Sequence, residues 1–96
     1  MSVLDNVLME EYKRILRMIN SISEEIESLP KGYISKKNIK GKDYSYLQRR
    51  KGNKIISSYL VKEKVEDYKV LIENRRNLEK QKRELEKERK RLSRIL

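Results

Sequence analysis

A run of apolar side chains near the start of the chain constrains its fold more than any other feature. The intervals are alternately four and three residues along Leu8, Tyr12, Ile15, Ile19, Ile22, Ile26 and Leu29. This is the a/d spacing of a coiled coil, in which one stripe of each helix faces its partner. The pattern predicts a helix over residues 2–29. Pro30 and Gly32 follow, and proline disfavours helical backbone at the residue before it.

A second helical pattern occupies residues 62–96. Its first part continues a seam of the same kind through Val61, Val65, Tyr68 and Ile72. Beyond it, one leucine recurs in every seven residues, at Leu71, Leu78, Leu85 and Leu92. The seam positions between these leucines are polar, so the apolar stripe is narrower than in the first helix.

Folding the second helix back on the first suggests a register for the pair. If Leu29 faces Val61, then Tyr12 faces Leu78, and apolar side chains meet at every step. In this register the second helix runs about ten residues, or roughly 15 Å, past the first. The overhang leaves Leu92 and Leu96 uncovered by their own chain, which predicts a homodimer formed through the helices. The predicted oligomerisation residues are Tyr12, Leu16, Leu78, Leu85, Leu92 and Leu96.

The middle of the chain, residues 32–60, changes from helical to strand-like patterning. Three short stretches rich in Tyr, Ile and Ser are separated by Lys40-Gly41 and Lys51-Gly52. Glycine supplies the positive φ that tight hairpin turns need, so we predict a three-stranded antiparallel β-meander. With two-residue loops, Ile34, Leu47 and Ile56 share one face. The other face is predicted to carry the cross-strand sets Tyr33-Gln48-Ile55, Ser35-Tyr46-Ser57 and Lys37-Tyr44-Tyr59.

These elements predict one α+β domain over residues 1–96 that is mostly α. It is an antiparallel coiled-coil helical hairpin with the β-meander inserted between the helices. Neither a basic leader followed by an apolar run nor a run of about 20 apolar residues occurs in the sequence. We therefore expect a cytoplasmic protein with no membrane partner.

The composition excludes most catalytic chemistry. The chain has no His and no Cys, so the commonest general base, nucleophile and soft metal ligands are missing. Its three glycines are isolated in turns, and none belongs to a glycine-rich phosphate loop. We expect no enzyme activity, no cofactor and no metal.

The charge points to a polyanion instead. The net charge is +10, and residues 31–60 hold nine cations and one acid, Asp43. Lysine and arginine spaced along a rigid sheet can neutralise phosphates, and Gln, Arg and Tyr can contact bases or sugars. Tyr59 is a further side chain that could stack on bases. The predicted nucleic-acid-binding residues are Lys36, Lys37, Lys40, Lys42, Tyr44, Tyr46, Gln48, Arg49, Arg50, Lys51 and Lys54.

Other interpretations of the same residues stay open. Lysine on an edge strand also prevents sheet aggregation, and tyrosine on a small sheet is commonly a packing residue. The basic stretch "RKRLSR" near the C-terminus alternates with glutamates, which favours a solvated helix over a second polyanion contact. A purely structural oligomer would need no charged ligand. Because Arg49 and Arg50 are neighbours in a predicted strand, we expect them to point to opposite faces.

The stretch "LPKGYISKKNIKGKDYSYLQRRKGNKIISSYL", residues 29–60, carries a resemblance. It is similar to a segment of small bacterial and phage proteins in which a basic, Tyr-rich β-meander joins two long helices. The resemblance covers about a third of the chain and implies the fold, but no function carries over. The matching positions are Leu29-Pro30-Lys31-Gly32, Gly41-Lys42, Tyr44, Tyr46-Leu47-Gln48, Arg50, Gly52, Lys54 and Ser58-Tyr59-Leu60.

The meander with the following "VKEKVEDYKVL" also resembles, more weakly, the arm-type DNA-binding domain of phage integrases. In those domains three strands and a helix place one sheet face in the major groove. This chain departs from them by its first helix, its longer last helix and the lack of a recombinase domain. Together these features predict a non-enzymatic nucleic-acid-binding accessory protein of a bacterium or phage, with DNA as the preferred ligand. The alternative is a protein-binding module, such as a phage-encoded, anti-CRISPR-like inhibitor that docks on a nucleic-acid-handling enzyme.

Overall fold

The architecture is α+β and mostly α, as the sequence predicts. The computed structural model describes residues 2–96, in the order α1 (Val3–Glu27), β1 (Tyr33–Ile39), β2 (Lys42–Lys51), β3 (Lys54–Leu60) and α2 (Lys62–Ile95). These bounds agree with the predicted elements to within two residues. The chain divides into two compact units, and α2 contributes to both: one joins the residues up to Ser28 with Arg76–Leu96, and the other is Leu29–Arg75. The expectation of a single domain over 1–96 stays a prediction.

A capping box begins α1. The Asp5 backbone N–H donates to the Ser2 hydroxyl oxygen at 3.2 Å, and the Ser2 backbone N–H donates to the Asp5 carboxylate at 3.3 Å. Both donors would otherwise lack partners at the helix start. The helix ends at Glu27, where the C-cap Ser28 donates its backbone N–H to carbonyl groups of the last turn. It therefore stops two residues before the predicted end at 29.

The helical unit buries a small cluster along the predicted seam of α1. Ile15, Ile19 and Leu92 are its buried members, and Leu8, Tyr12 and Leu85 pack against them. The pKa of Arg89 is raised by hydrogen bonds to Glu86 and to Tyr12, which places Tyr12 beside the last turns of α2. A shallow pocket lined by Met18, Ile22, Lys80, Gln81, Glu84 and Leu85 joins the later part of α1 to an earlier part of α2. The two segments of this unit therefore run antiparallel.

The predicted register of the helices is wrong. Tyr12 packs in the cluster with Leu85 and bonds to Arg89, seven and eleven residues beyond the expected partner Leu78. The expectation that Leu92 is uncovered is wrong for the same reason, because Leu92 is only 6% exposed and packs in the cluster. Ile95 and Leu96 beyond it are exposed, at 61% and 46%. A continuous coiled coil stays a prediction.

The sheet has the predicted strand order β1-β2-β3, with both pairs antiparallel. The first hairpin turns at Lys40-Gly41, and Ile39 pairs with Lys42. Both turn residues have positive φ (53° and 82°), as a type I′ turn requires. The predicted β1–β2 pairs, such as Ile34 with Leu47 and Lys37 with Tyr44, are confirmed.

The second hairpin turns one residue later than predicted. Its loop is Gly52-Asn53, so Lys51 pairs with Lys54, and the predicted pair Leu47–Ile56 gives way to Leu47–Ser58. A Lys51-Gly52 loop in a type I′ or II′ turn would put Lys51 at positive φ, whereas glycine at the first loop position (φ 62°) takes that conformation without steric cost. The register moves by two residues, which leaves each side chain on its predicted face.

Gly32 fits the start of the sheet against β2. Its φ is 119°, and a Cβ added there would overlap the Gln48 carbonyl oxygen. Nearby, Arg75 on α2 donates a 2.7 Å hydrogen bond from Nη1 to the Leu29 carbonyl oxygen. Leu60, Val65 and Ile72 are the buried apolar side chains of this unit. The connection before the sheet is thus held by main-chain contacts that the sequence pattern does not reveal.

Candidate nucleic-acid interface

One face of the sheet collects four of the six tyrosines of the chain. Side chains alternate between the two faces of each strand, so the observed pairing determines which of them lie together. We call this set the tyrosine face: Tyr33, Ser35, Lys37, Ile39, Lys42, Tyr44, Tyr46, Gln48, Arg50, Ile55, Ser57 and Tyr59. The opposite face carries Ile34, Lys36, Asn38, Asp43, Ser45, Leu47, Arg49, Lys51, Lys54, Ile56, Ser58 and Leu60.

Exposure distinguishes the two faces. Tyr33, Tyr59 and Ile55 of the tyrosine face are well exposed, at 47%, 57% and 61%, whereas Tyr44 and Tyr46 are half-buried. Ile34, Leu47 and Ile56 on the opposite face are half-buried and Leu60 is buried. The tyrosine face is therefore the side of the sheet that offers apolar surface to a partner.

Three tyrosine rings form a contacting cluster at its centre. Tyr46 and Tyr59 are direct cross-strand partners, and their ring centroids lie 5.9 Å apart at 69°. Tyr44 lies on the diagonal, 6.3 Å from Tyr59 at 55°. Edge-to-face and tilted pairs of this kind attract one another beyond their area of contact. Lys37 Nζ lies 5.0 Å from the Tyr46 centroid, within cation–π range, so one cation is held over the cluster.

A hydrogen-bonded row adjoins the rings. Tyr33 donates its hydroxyl to Gln48 Oε1 at 2.8 Å, and Gln48 Nε2 donates to Ser35 Oγ at 3.0 Å. The Gln48 amide thus already has a partner for its oxygen and for its nitrogen. Base contact through Gln48 stays a prediction, but in this structure its amide fixes the orientation of Tyr33.

The pairing divides the predicted binding residues between the faces. Six of the eleven share the tyrosine face: Lys37, Lys42, Tyr44, Tyr46, Gln48 and Arg50. Lys36, Arg49, Lys51 and Lys54 lie on the opposite face, and Lys40 lies in the first turn. The predicted separation of Arg49 from Arg50 is confirmed. A ligand on either face therefore meets only part of the basic middle of the sequence.

The tyrosine face contains no acid, whereas the opposite face contains Asp43. Asn38 Nδ2 donates to Asp43 Oδ1 at 3.0 Å, and the Gly41 backbone N–H donates to Asn38 Oδ1 at 3.2 Å. The one acid of the meander is thus tied to the first turn, on the side away from the rings. Lys37, Lys42 and Arg50 therefore give the tyrosine face a positive charge that no neighbouring carboxylate on that face offsets.

The candidate residues omit six members of this face, of which four have large side chains. Tyr33 and Tyr59 belong with Tyr44 and Tyr46, and Ile39 and Ile55 add exposed apolar area, at 47% and 61%. The predicted pairing already aligned Tyr33, Ile55 and Tyr59 with this side of the sheet. The available signal was therefore the strand alternation rather than residue type or charge.

A groove of about 470 Å³ lies within the unit that contains the sheet. Lys36, Asp43, Tyr44, Ser45, Tyr59 and Leu60 line it from the strands, and Lys62, Val65, Glu66 and Lys69 line it from α2. Lys69 Nζ is 3.2 Å from Glu66 Oε1, so the charges in the groove are mixed. Among residues 2–96 the structure contains no group of acids placed to hold a metal ion.

The predicted oligomerisation residues fall into two groups. Tyr12, Leu85 and Leu92 pack within the chain, and Leu78 is half-buried. Leu16 and Leu96 are 37% and 46% exposed. None of the described helices is long and apolar enough to cross a lipid bilayer.

Comparison with known families adds one finding. A family model described as Domain of unknown function (DUF6788) matches residues 10–70, which include most of α1, the whole sheet and the first part of α2. No curated protein and no solved structure matches the chain. Because the matched span is more than half of the chain, the protein belongs to the DUF6788 family.

Proposed function

We propose that this is a non-enzymatic nucleic-acid-binding accessory protein of a bacterium or phage. It acts in the cytoplasm and holds a polynucleotide on the tyrosine face. One observation carries the proposal: four tyrosines, two of them well exposed, share a sheet face with three cations and no acid. Cations provide phosphate contacts and the release of counterions, and ring faces provide contacts to bases or sugars.

Adjacent residues on opposite faces provide a matched test. Lys37→Ala with Arg50→Ala removes two cations from the tyrosine face. Lys36→Ala with Arg49→Ala removes two from the opposite face, at neighbouring positions in the same strands. The two double variants have the same net charge, so nonspecific attraction to a polyanion changes equally in both.

The measurement is fluorescence anisotropy of a labelled oligonucleotide at several salt concentrations. Each lost phosphate contact should flatten the plot of log affinity against log salt by about 0.7 on a single strand and 0.9 on a duplex. We expect the tyrosine-face variant to lose both contacts and the opposite-face variant to keep the original slope. Equal losses in the two variants, or no binding by the unmodified protein, would overturn the proposal.

The exposed isoleucines favour a second candidate, a protein-binding module. The side chains of Ile39 and Ile55 are exposed and have no group that can bind a phosphate. Tyr and Arg, which share their face, are enriched at the energetic centres of protein interfaces. A phage-encoded inhibitor that docks on a nucleic-acid-handling enzyme would use such a face. In that case the double variant Ile39→Ser with Ile55→Ser should no longer inhibit the purified enzyme. Oligonucleotides should bind neither the unmodified protein nor this variant.

Self-association through the helices is a further part of the proposal. Val3, Leu4 and Val7 are 80%, 66% and 58% exposed, and Leu16 and Leu96 are partly exposed as well. A second copy is the simplest cover for apolar side chains at the ends of two helices. Multi-angle light scattering at micromolar protein should give twice the chain mass, and Leu16→Lys should return it to the mass of one chain. A single-chain mass for the unmodified protein would contradict this part.

A further inference from the structure

We infer that the ligand of the tyrosine face is a single-stranded nucleic acid, whose bases stack on the exposed rings. This inference rests on the proposed function and narrows it to one class of nucleic acid. Ring spacing, the shortage of groups that read base edges, and the line of cations along β2 support it.

Ring spacing is the first argument. The centroids of Tyr44 and Tyr46 lie 6.3 and 5.9 Å from that of Tyr59, and Tyr59 is 57% exposed. Stacked nucleotides of a duplex strand rise about 3.4 Å each, so neighbouring bases cannot meet successive rings while they stay stacked on one another. Bases of a single strand can separate and stack on aromatic side chains instead. The cluster is therefore matched to an unpaired strand.

Few side chains of the tyrosine face can contact the edges of paired bases in a duplex. Arg, Lys, Asn and Gln make most of the specific contacts to base edges in the major groove. On the tyrosine face Gln48 already bonds to Tyr33 and Ser35 through its amide, and Lys37 lies over the Tyr46 ring. Lys42 and Arg50 are the other side chains of these types on the face, and they lie at the two ends of β2. This surface therefore offers more ring area for stacking, which tolerates any base, than groups for contacts to base edges.

The cations provide the third argument. Lys42 and Arg50 lie at the two ends of β2, with Tyr44 and Tyr46 between them. At about 3.4 Å per residue, the ends of this track are about 27 Å apart. The two cations lie in line with the rings, so a single strand laid along β2 can contact both of them with its one phosphate backbone.

The face also has groups that can meet a 2′-hydroxyl, which a protein contacts through a donor or acceptor placed for it. The hydroxyls of Tyr44, Tyr46, Tyr59 and Ser57 lie on the tyrosine face, beside the bonded row of Tyr33, Gln48 and Ser35. The chemistry that the face recognises is therefore an unpaired strand, and a DNA strand and an RNA strand are separate arms of the test.

The unmodified protein allows a direct test. The ligands are a mixed-sequence DNA strand of about 15 nucleotides, the duplex of the same sequence and the RNA strand of that sequence, a length within the usual site sizes for single strands. The chain has six tyrosines and no tryptophan, so its intrinsic emission comes from tyrosine, and four of the six rings lie on the tyrosine face. We expect at least about tenfold tighter binding of the DNA strand, the RNA strand or both than of the duplex, with quenching of the tyrosine emission.

Two substitutions at Tyr59 separate the ring from the rest of the side chain. Tyr59→Leu removes the ring and keeps an apolar side chain, whereas Tyr59→Phe keeps the ring. Loss of one stacked base should weaken binding about 5- to 150-fold in the first variant and less than about twofold in the second. Circular dichroism melting shows whether each variant folds. If Tyr59→Leu does not fold, the strand-against-duplex comparison and the emission of the unmodified protein still decide.

The outcomes separate failure of this inference from failure of the proposed function. Duplex binding equal to or tighter than the binding of both strands would overturn this inference and leave the proposed function standing. If only the RNA strand binds more tightly than the duplex, the inference stands with RNA as the ligand. If none of the three ligands binds, the inference and the proposed function both fail.

Discussion

Replacing Leu92 by alanine should destabilise the protein far more than the same change at Leu71. Both leucines belong to the seven-residue repeat of the second helix, but Leu92 is 6% exposed and Leu71 is 36% exposed. Leu92 is packed with Ile15 and Ile19. Comparing the two variants therefore tests whether burial in the helical unit, rather than position in the repeat, determines how much a leucine contributes to stability.

The magnitude follows from the cluster. Leu→Ala in a protein core costs about 2–5 kcal/mol, with the lower values where neighbours can collapse into the space. The cluster has three buried members and three partly buried ones, so we expect about 2–3 kcal/mol at Leu92. Leu71→Ala should cost less than about 1 kcal/mol, because its side chain already contacts solvent. For a chain of this length the total stability is of order 5–14 kcal/mol, so the difference is measurable.

Urea unfolding followed by far-UV circular dichroism measures both variants. With a slope of about 1–1.5 kcal/mol/M, the Leu92 variant should lose about 2 M from its midpoint, and the Leu71 variant less than about 1 M. Equal shifts in the two variants would refute the packing of α2 described above. A midpoint of the unmodified protein that rises with protein concentration would show that an interface between chains contributes to stability, and the cost at Leu92 would then include the interface.

Three further expectations concern turns and charge. Gly32→Ala should lower the free energy of unfolding, measured in urea, by at least about 2 kcal/mol. Both its φ of 119° and the overlap of an added Cβ with β2 disfavour a side chain. Gly41→Ala, whose Cβ would meet no atom, should lower it less. Lys40→Asn should raise stability by about 0.5–1 kcal/mol, because lysine is strained at a φ of 53° and asparagine tolerates it; an unchanged melting temperature would contradict this. The hydrogen bonds and charge of Arg14 lower the pKa of Glu11, so the ion pair is present above the pKa of unfolded Glu11 and is lost as the pH falls through the lower folded value. An NMR titration should show a higher pKa for Glu11 in the Arg14→Ala variant. An unchanged pKa would show that Arg14 is not the cause of the lowered value.

The sequence predicts the seam of α1 better than its partner. Ile15, Ile19 and Ile26 are buried at seam positions of the 3.5-residue repeat, since that pattern is apolar on one stripe only. The partner stripe on α2 has one leucine in every seven residues. Arg89, the observed partner of Tyr12, lies eleven residues beyond Leu78, and sliding the helices by two heptads would set Leu92 beside Tyr12 and Leu85 beside Ile19, again apolar against apolar. Hydrophobic pattern alone therefore could not select the register.

The polar bonds of the structure were also beyond prediction. The Arg75 bond to the Leu29 carbonyl joins residues 46 apart in the chain, and Arg89 reaches Tyr12 across the helical unit. Such contacts depend on the register and on rotamers, neither of which a residue pattern encodes. They favour the observed register, in which cations of α2 lie beside groups that can accept their hydrogen bonds.

The composition of the tyrosine face survived an error in strand pairing for a simple geometric reason. Moving the second turn from Lys51-Gly52 to Gly52-Asn53 changes the β2–β3 pairing by two residues. Side chains repeat every two residues in a strand, so an even slip changes neighbours but not faces. Tyr59 moves from the expected place opposite Tyr44 to one opposite Tyr46, and the rings still meet. A one-residue slip would have exchanged the faces of β3 and removed Tyr59 from the cluster. The candidate interface therefore depends on whether the β2–β3 pairing shifts by an even or an odd number of residues. Glycine at the first position of the second turn favours the observed pairing.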